Sequence, residues 1–400
     1  MSPSLRPWPE GERMSTLSNE ELEAYSRHLL LPDFGLRGQE ALRRASAVIV
    51  GAGGLGSPIL FYLAAAGVGR IGIVDHDLVD LSNLQRQIIF CRADIGKSKA
   101  LVAAQRLNAL NPLVNVESYA TRLDEHNAAS LLSSYDLVID GTDNFRAKYL
   151  INDAAFFAGK PLVYGSIYQF EGQVSVFNLN LKGEWGPNYR DLFPVPPPPE
   201  LAPSCAETGV LGVLPGIIGA MQANEAIKVL SGIGEVLSGR LFVYDALRLR
   251  AQVLTIRKNP HNPLSGDRPT IKSLVAHEDV CRSERVDADT ELGMRIFLEM
   301  IESNADFQLI DVRDPYERSL LSLGGESVPL SAIQDAVHRI RRDVPVVLYC
   351  LSGKRSQRGV AYLRGLGEYH NVRSLEGGLE LYIKSRRSTG EHKLIIRGIQ

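Results

Sequence analysis

Apolar positions along the chain recur with two periods, and the period switches repeatedly. After Ser18-Asn19-Glu20-Glu21, a capping-box pattern, Leu22, Tyr25, Leu29 and Leu30 stand at helical spacing. Residues 47–50 form a short apolar run that leads straight into Gly51-Ala-Gly53-Gly-Leu-Gly56. That order predicts a strand, a tight turn and a helix over residues 58–66, ended by Gly67. Residues 71–75 read as a second strand, 97–110 as a helix stopped by Asn111-Pro112, and 137–140 as a strand. A helix over 147–157 and a strand over 161–164 follow. Strands alternating with helices predict a parallel sheet covered on both faces.

After Gly172 the order changes. Residues 173–179 predict an antiparallel strand, which makes the sheet mixed. The stretch from Pro194 to Pro203 contains four consecutive prolines, Pro196 to Pro199, so it is neither helix nor central strand but an extended crossing loop. A long helix to about Leu230 and strands over 241–245 and 252–256 complete this part. Periodicity weakens from residue 257, with Pro260, Pro263 and Pro269. A second alternation then runs through a strand at 308–312, a helix at 332–341, a strand at 346–350, a helix at 356–366, a strand at 372–375 and a helix from Gly378. The expected organisation is a flexible leader (1–17), an α/β domain (18–257), a linker (258–290) and a smaller α/β domain (291–400). Four hundred residues also exceed what one core usually serves.

Composition narrows the classes. The chain is 44% hydrophobic and 22% charged, ordinary for a globular protein and incompatible with disorder over most of its length. A net charge of −2 gives no reason to expect nucleic acid or an anionic membrane as partner, and no apolar run is long enough to span a bilayer. The total hides an asymmetry: residues 341–400 hold 12 Lys/Arg against 5 Asp/Glu, and the rest of the chain 32 against 41. The N-terminus has no apolar segment of a secretory signal, and the four cysteines (Cys91, Cys205, Cys281, Cys350) form no CxxC pair. Both features fit a reducing cytoplasm, where a cysteine that matters is reactive rather than cross-linked.

Gly51-x-Gly53-x-x-Gly56 between strand and helix has the spacing that lets backbone N–H groups approach phosphates at a helix N-terminus. Asp75, 19 residues beyond Gly56, stands at the next strand's end, where a carboxylate can accept from ribose hydroxyls. Hydride transfer with NAD is one reading of this motif. The residues downstream suit phosphoryl chemistry better: Asn83, Arg86 and Lys99 supply polar and positive groups for a triphosphate. Asp143, in Asp140-Gly-Thr-Asp143-Asn144, supplies a carboxylate for Mg²⁺. Taken singly, Arg86 and Lys99 would pass as surface charges and Asp143 as a helix cap.

Together with DIGKSK, DGTDN and PSCAETGVLGVLPG, the stretch GAGGLGSPILFYLAAAGVGRIGIVDHDLVDLSNLQRQ resembles the MoeB/ThiF proteins, relatives of ubiquitin-activating enzymes, over roughly residues 18–260. The resemblance implies a Rossmann-like adenylation domain that uses ATP and Mg²⁺ to adenylate the C-terminal glycine of a ubiquitin-like carrier ending in Gly-Gly. It assigns the glycine turn (Gly51, Gly53, Gly54, Gly56) and Asp75 to the nucleotide, Asn83, Arg86 and Lys99 to its phosphates, and Asp143 to the metal. Arg27 matches an arginine that reaches a neighbouring subunit's ATP, which implies a homodimer. Many relatives hold structural zinc with two CxxC pairs; here those places are Asn188, Asp191, Asn262 and Ser265, so no zinc is expected. Cys205, in the loop that crosses the adenylate site in relatives, is a second candidate for sulfur or acyl transfer.

Cys350 ends an apolar strand and is followed by Leu-Ser-Gly-Lys-Arg355 and a helix. Loop N–H groups, a helix dipole, Lys354 and Arg355 favour a sulfur anion there. The region 291–400 resembles a rhodanese domain, with Asp311-Val-Arg313-Asp-Pro315 early and Glu376-Gly377-Gly378 late; Cys350 would carry persulfide sulfur. Cys350-x4-Arg355 is one residue shorter than a cysteine-phosphatase loop, which favours sulfur over phosphate. A histidine usual after Glu317 is missing, and Tyr382 stands where tryptophan is common. The fusion resembles proteins of the MoeZ type. It implies adenylation followed by transfer of sulfur from a donor, a cysteine desulfurase or thiosulfate, to make the carrier's thiocarboxylate. An NAD-dependent oxidoreductase, a tRNA dehydratase on the same adenylating fold and a non-catalytic carrier-binding scaffold are the alternatives.

Overall fold

The computed structural model describes residues 16–181, 183–196, 209–274 and 290–388. The chain forms two compact units that part near residue 277. In the first, β1 (Ser46–Val50), β2 (Arg70–Val74), β3 (Asn115–Tyr119), β4 (Leu137–Asp140) and β5 (Leu162–Tyr168) are parallel. Antiparallel partners follow: β6 (Glu171–Phe177), then, after the small hairpin β7 (Asn180–Leu181) and β8 (Glu184–Trp185), β9 (Arg240–Asp245) and β10 (Arg250–Thr255). The eight-stranded order is β10-β9-β6-β5-β4-β1-β2-β3, a mixed sheet as the pattern after Gly172 predicts.

β1 and β4 are buried on both faces, which is why their sequences run apolar without alternation. Ala47, Ile49, Ile71, Ile73 and Leu137 pack with the helices Gly56–Ala65, Lys99–Leu110 and Leu214–Ser231. Val48, Val50, Val74 and Val138 pack on the opposite face with Ala128–Ser133 and Phe145–Phe157. The Ser18 capping box forms as written, with the Ser18 side chain accepting from Glu21 N and the Glu21 carboxylate from Ser18 N. Among the described residues no helix is long and apolar enough to cross a membrane.

The second unit is a parallel sheet ordered β11-β15-β14-β12-β13, made of β11 (Glu291–Leu292), β12 (Gln308–Asp311), β13 (Glu326–Ser327), β14 (Val346–Tyr349) and β15 (Val372–Leu375). Val346 and Leu348 point to one core, Val347 and Tyr349 to the other. The helix expected over 332–341 is not an α-helix. Two 3-10 turns, Leu330–Ala332 and Val337–Arg339, occupy the region. They still bring Ile333, Ala336 and Ile340 to one core, so the spacing identified the buried face but not the hydrogen-bond pattern that delivers it.

Candidate functional site

Ligands of open α/β sheets bind beyond the carboxyl ends of strands where the strand order reverses. In the first unit that point lies between β1, whose next neighbour in sequence is β2, and β4 on its other side. A cavity of about 320 Å³ opens there, lined by Gly51, Gly53, Gly54, Asp75, Arg86, Lys99 and Asp143 among others. Gly51 has φ +96°, and an added Cβ would stand 2.8 Å from Gly141 O, so the turn after β1 presses on the turn after β4. Gly56 does not line the cavity. A Cβ there would meet Gly51 O at 2.0 Å, and its part is to let the helix start close against the turn.

The Asp75 carboxylate accepts from Ala52 N and Asp77 N, each at 2.8 Å. Burial pushes this carboxyl above its usual range, and the two N–H groups and Lys99 offset part of the effect. Lys99 is buried and holds Asp77 at 3.0 Å. Arg86 donates to Ser82 O at 3.1 Å from the cavity wall. Asn83 caps its own short turn, accepting from Asp80 N at 3.1 Å, and is not part of the wall; Arg27, on the short helix Ser26–Leu29, is not either. The remaining walls divide by character: Val74, Leu123 and Leu150 offer apolar surface for a base, and Asp143 is exposed with no ion pair among the described residues.

One element that the motif reading missed fixes the Asp143 turn. Lys148, one helical turn into Phe145–Phe157, is buried and donates to Asp140 Oδ2 (2.9 Å), Thr142 O (3.1 Å) and Gly165 O (2.7 Å). Asp140 Oδ1 accepts from Thr142 N and Oγ1. A buried charge is tolerated only when paired and hydrogen-bonded in this way. Its sequence signal, a lysine eight residues after the strand-ending aspartate, is too common to read without the fold.

A divalent ion fits this wall. Mg²⁺ is commonly held by one or two carboxylates plus substrate phosphates, and Asp143 is available for that. Asp75, His76 and Asp77 also bring ligand atoms within 4.8 Å of one another, but Asp75 is tied to backbone N–H groups and Asp77 to Lys99. A tetrahedral zinc does not fit the four positions at which the resemblance would place zinc-binding cysteines. Asn188 Nδ2 donates to Ser265 Oγ (2.7 Å), Asn262 Nδ2 donates to Asn188 Oδ1 (3.1 Å), and Asp191 accepts from Asn188 N and Asn259 N. The four side chains thus bond to one another or to nearby backbone, where a metal would need thiolates.

In the second unit Cys350 follows β14 directly and is 1% exposed. Gly353, at φ +91°, turns the chain into the helix Lys354–Gly365. Ser356 Oγ lies 3.7 Å from Cys350 Sγ and shares a 2.8 Å hydrogen bond with Ser374. The late glycine motif supports the loop from below: a Cβ on Gly378 would stand 2.5 Å from Cys350 O and 2.8 Å from Gly353 N. Leu379 N and Glu380 N donate to Cys350 O and Leu351 O, each at 2.9 Å. Arg355 turns toward Glu317, with two 2.6 Å bonds. Burial raises the Glu317 carboxyl, but Arg355 and the N–H of Asp314 outweigh it and hold it below its usual value. Cys205 and Cys281 lie outside the described residues.

Residues 25–265 match the model of the ThiF family, and residues 295–385 match the rhodanese-like domain. The chain is 46% identical to the probable adenylyltransferase/sulfurtransferase MoeZ of Mycobacterium tuberculosis over 392 residues, 96% of this chain and 98% of that one. It is 57% identical over 265 residues to the sulfur carrier protein adenylyltransferase of Thermus thermophilus, covering 66% of this chain and 98% of that protein. Adenylyltransferase and sulfurtransferase MOCS3 of Drosophila sechellia is 40% identical, covering 94% and 85%. Among solved structures, MccB of E. coli with succinimide aligns with a TM-score of 0.53 at 21% identity, over 61% of this chain and 74% of that one, a likeness of fold.

Proposed function

The chain belongs to the ThiF family and carries a rhodanese-like domain behind it, and from that premise we propose that it adenylates the C-terminal glycine of a ubiquitin-like sulfur carrier and then converts the adenylate to a thiocarboxylate. It is an adenylyltransferase and sulfurtransferase. The observation that carries the reading is the coexistence of two sites: a phosphate-binding turn with Arg86, Lys99 and Asp143 on one cavity, and Cys350 in a strand–helix loop on a separate unit. Hydride transfer, which the glycine motif also allowed, leaves the second site without a role.

In the first step a carrier carboxylate oxygen attacks the α-phosphorus of ATP. The bond to the bridging oxygen breaks, and pyrophosphate leaves with the electron pair. Asp75 would hold the ribose, and Gly53 and Gly54 would present N–H groups to the phosphates. Arg86 and Lys99 would neutralise the leaving group, while Asn83, whose side chain caps its own turn, stands off the cavity wall. A Mg²⁺ ion held by Asp143 would spread the charge that builds on the pyrophosphate. No covalent catalyst is required; positioning and fixed charge suffice.

In the second step the outer sulfur of a Cys350 persulfide attacks the acyl carbon and displaces AMP, leaving carrier and Cys350 joined by an acyl disulfide. The Cys205 thiolate then attacks Cys350 Sγ. The thiocarboxylate leaves, a Cys205–Cys350 disulfide remains, and an external thiol reduces it. A cysteine desulfurase or thiosulfate would reload Cys350. A homodimer would bring Arg27 to the partner copy's nucleotide, and a cytoplasmic setting would keep the thiols reduced. We assign adenylation to residues 18–257 and sulfur transfer to 291–400.

Carrier-dependent exchange of labelled pyrophosphate into ATP tests the first step, with ubiquitin-like proteins ending in Gly-Gly from the same genome. Exchange should appear with at least one of them, and its absence with all would sink the reading. The interlocked Asn188, Asp191, Asn262 and Ser265 support a zinc-free protein. Dialysis against a zinc-selective chelator should leave the thermal unfolding midpoint in place, and a fall of several degrees would contradict that.

A further inference from the structure

Buried side-chain amides in the first unit are bonded. Gln39 donates to Ala66 O, Asn111 to Tyr25 and Ala64 O, and Gln222 Nε2 to Asp140 O, while Gln222 Oε1, away from the cavity wall, has no partner. Gln87 is different. It follows Arg86 at the cavity wall, is 5% exposed, and its Oε1 is buried without a hydrogen-bond partner. Leaving such a group unpaired costs its full desolvation penalty, so an orphan in a binding cavity calls for a ligand.

The position narrows what that ligand is. A Cβ on Gly53 would lie 3.5 Å from Gln87 Nε2, which puts the amide beside the phosphate-binding turn. The apolar surface for the base, Val74, Leu123 and Leu150, lies on other elements. The chain leaving the proline-rich stretch passes close by: a Cβ on Gly212 would touch Gln85, and one on Gly54 would touch Pro215. An ionised phosphate offers acceptors only and can bond Nε2 but never Oε1. Oε1 requires a donor. A terminal glycine has both groups within a few bonds: a peptide N–H and a carboxylate. The terminal torsion of glutamine is broad and roughly two-fold, so the amide can turn to meet them at small cost.

Resting on the adenylation reading above, we propose that Gln87 binds the backbone of the carrier's last glycine. Its Oε1 accepts the peptide N–H, and its Nε2 donates to the carboxylate that attacks the α-phosphorus. The pair of bonds aligns the nucleophile and selects an unsubstituted amide at the C-terminus.

The experiment uses full-length protein and a Gly-Gly carrier that supports exchange. That carrier is also made semisynthetically with N-methylglycine as its last residue. Q87M, close in size, should keep the unfolding midpoint and the affinity for a non-hydrolysable ATP analogue within about twofold, while kcat/KM for the carrier falls about 10- to 100-fold; Q87A should behave alike. The N-methyl carrier should lose part of that factor with unaltered protein and little further with Q87M, because the methyl group removes the N–H bond that Q87M, lacking both amide groups, has already removed. An unchanged kcat/KM for the carrier, weaker analogue binding without a carrier effect, or losses that multiply would each overturn the assignment. If the unaltered protein shows exchange with no carrier, the adenylation reading falls, and this proposal with it.

Discussion

C350A should leave carrier-dependent pyrophosphate exchange within about twofold of the parent and reduce thiocarboxylate formation to background, because alanine has no sulfur to form a persulfide and the proposed mechanism uses Cys350 as the nucleophile of the second step alone. The substitution is structurally mild. Cys350 packs in the core of the second unit with Ile310, Leu348 and Val360, and losing one sulfur from that core costs about 1 kcal/mol. The adenylating unit has cores of its own around Ile49 and Val48. Mass spectrometry of the carrier after incubation with ATP, a sulfur donor and a thiol reductant reads the result: a gain of 16 mass units, sulfur for oxygen, should be seen with the parent and vanish with C350A. Persistence of that gain would move the sulfur-bearing role to another residue. Loss of exchange as well would show that the two activities are not separable.

D143N should lower the exchange rate by about 10²–10³, the effect of removing one fixed charge from a transition state that the protein stabilises electrostatically. Asparagine keeps the shape and the fold. Asp143 is exposed on the cavity wall, while the following helix is capped by its neighbour Asn144, whose side chain accepts from Ala147 N. The loss should lie mainly in the Mg²⁺-dependent part of the reaction. Affinity for ATP measured in excess chelator should stay near that of the parent, and the Mg²⁺ concentration for half-maximal exchange should rise several-fold. Activity near the parent's at saturating carrier and low Mg²⁺ would remove Asp143 from the metal site and leave it as ordinary loop polarity. Persulfide loading of Cys350 gives an internal control, since that chemistry does not pass through Asp143.

Much of this arrangement could be read in one dimension because its chemistry is carried by contiguous segments. A phosphate-binding turn needs glycines at fixed offsets between a strand and a helix, and residues 47–66 contain the whole device. Cys350 and its loop are likewise local: strand, cysteine, glycine at positive φ, helix. The helix expected at 332–341 shows the limit of periodicity, which reports the face that is buried and not which carbonyl each N–H reaches. Asn83 shows another limit. Its motif position is unmistakable, yet its side chain is committed to capping a short turn and stands apart from the cavity wall.

Order along the chain was therefore enough to determine a nucleotide-binding α/β unit, a separate unit built around one cysteine, and the absence of the thiolates that a zinc site requires. Tertiary structure decided what depends on partners distant in sequence. It set Lys148 on Asp140 and Gly165 beneath the Asp143 turn, closed Asn188 against Asn262 and Ser265, and turned Arg355 onto Glu317, 38 positions away. It also left the Gln87 amide without a bond beside the phosphate turn. The physical reason is one of range. Turns, caps and strand–helix junctions are settled by sterics and hydrogen bonds among near neighbours, whereas the pairing of a buried polar group depends on which strands the sheet places side by side.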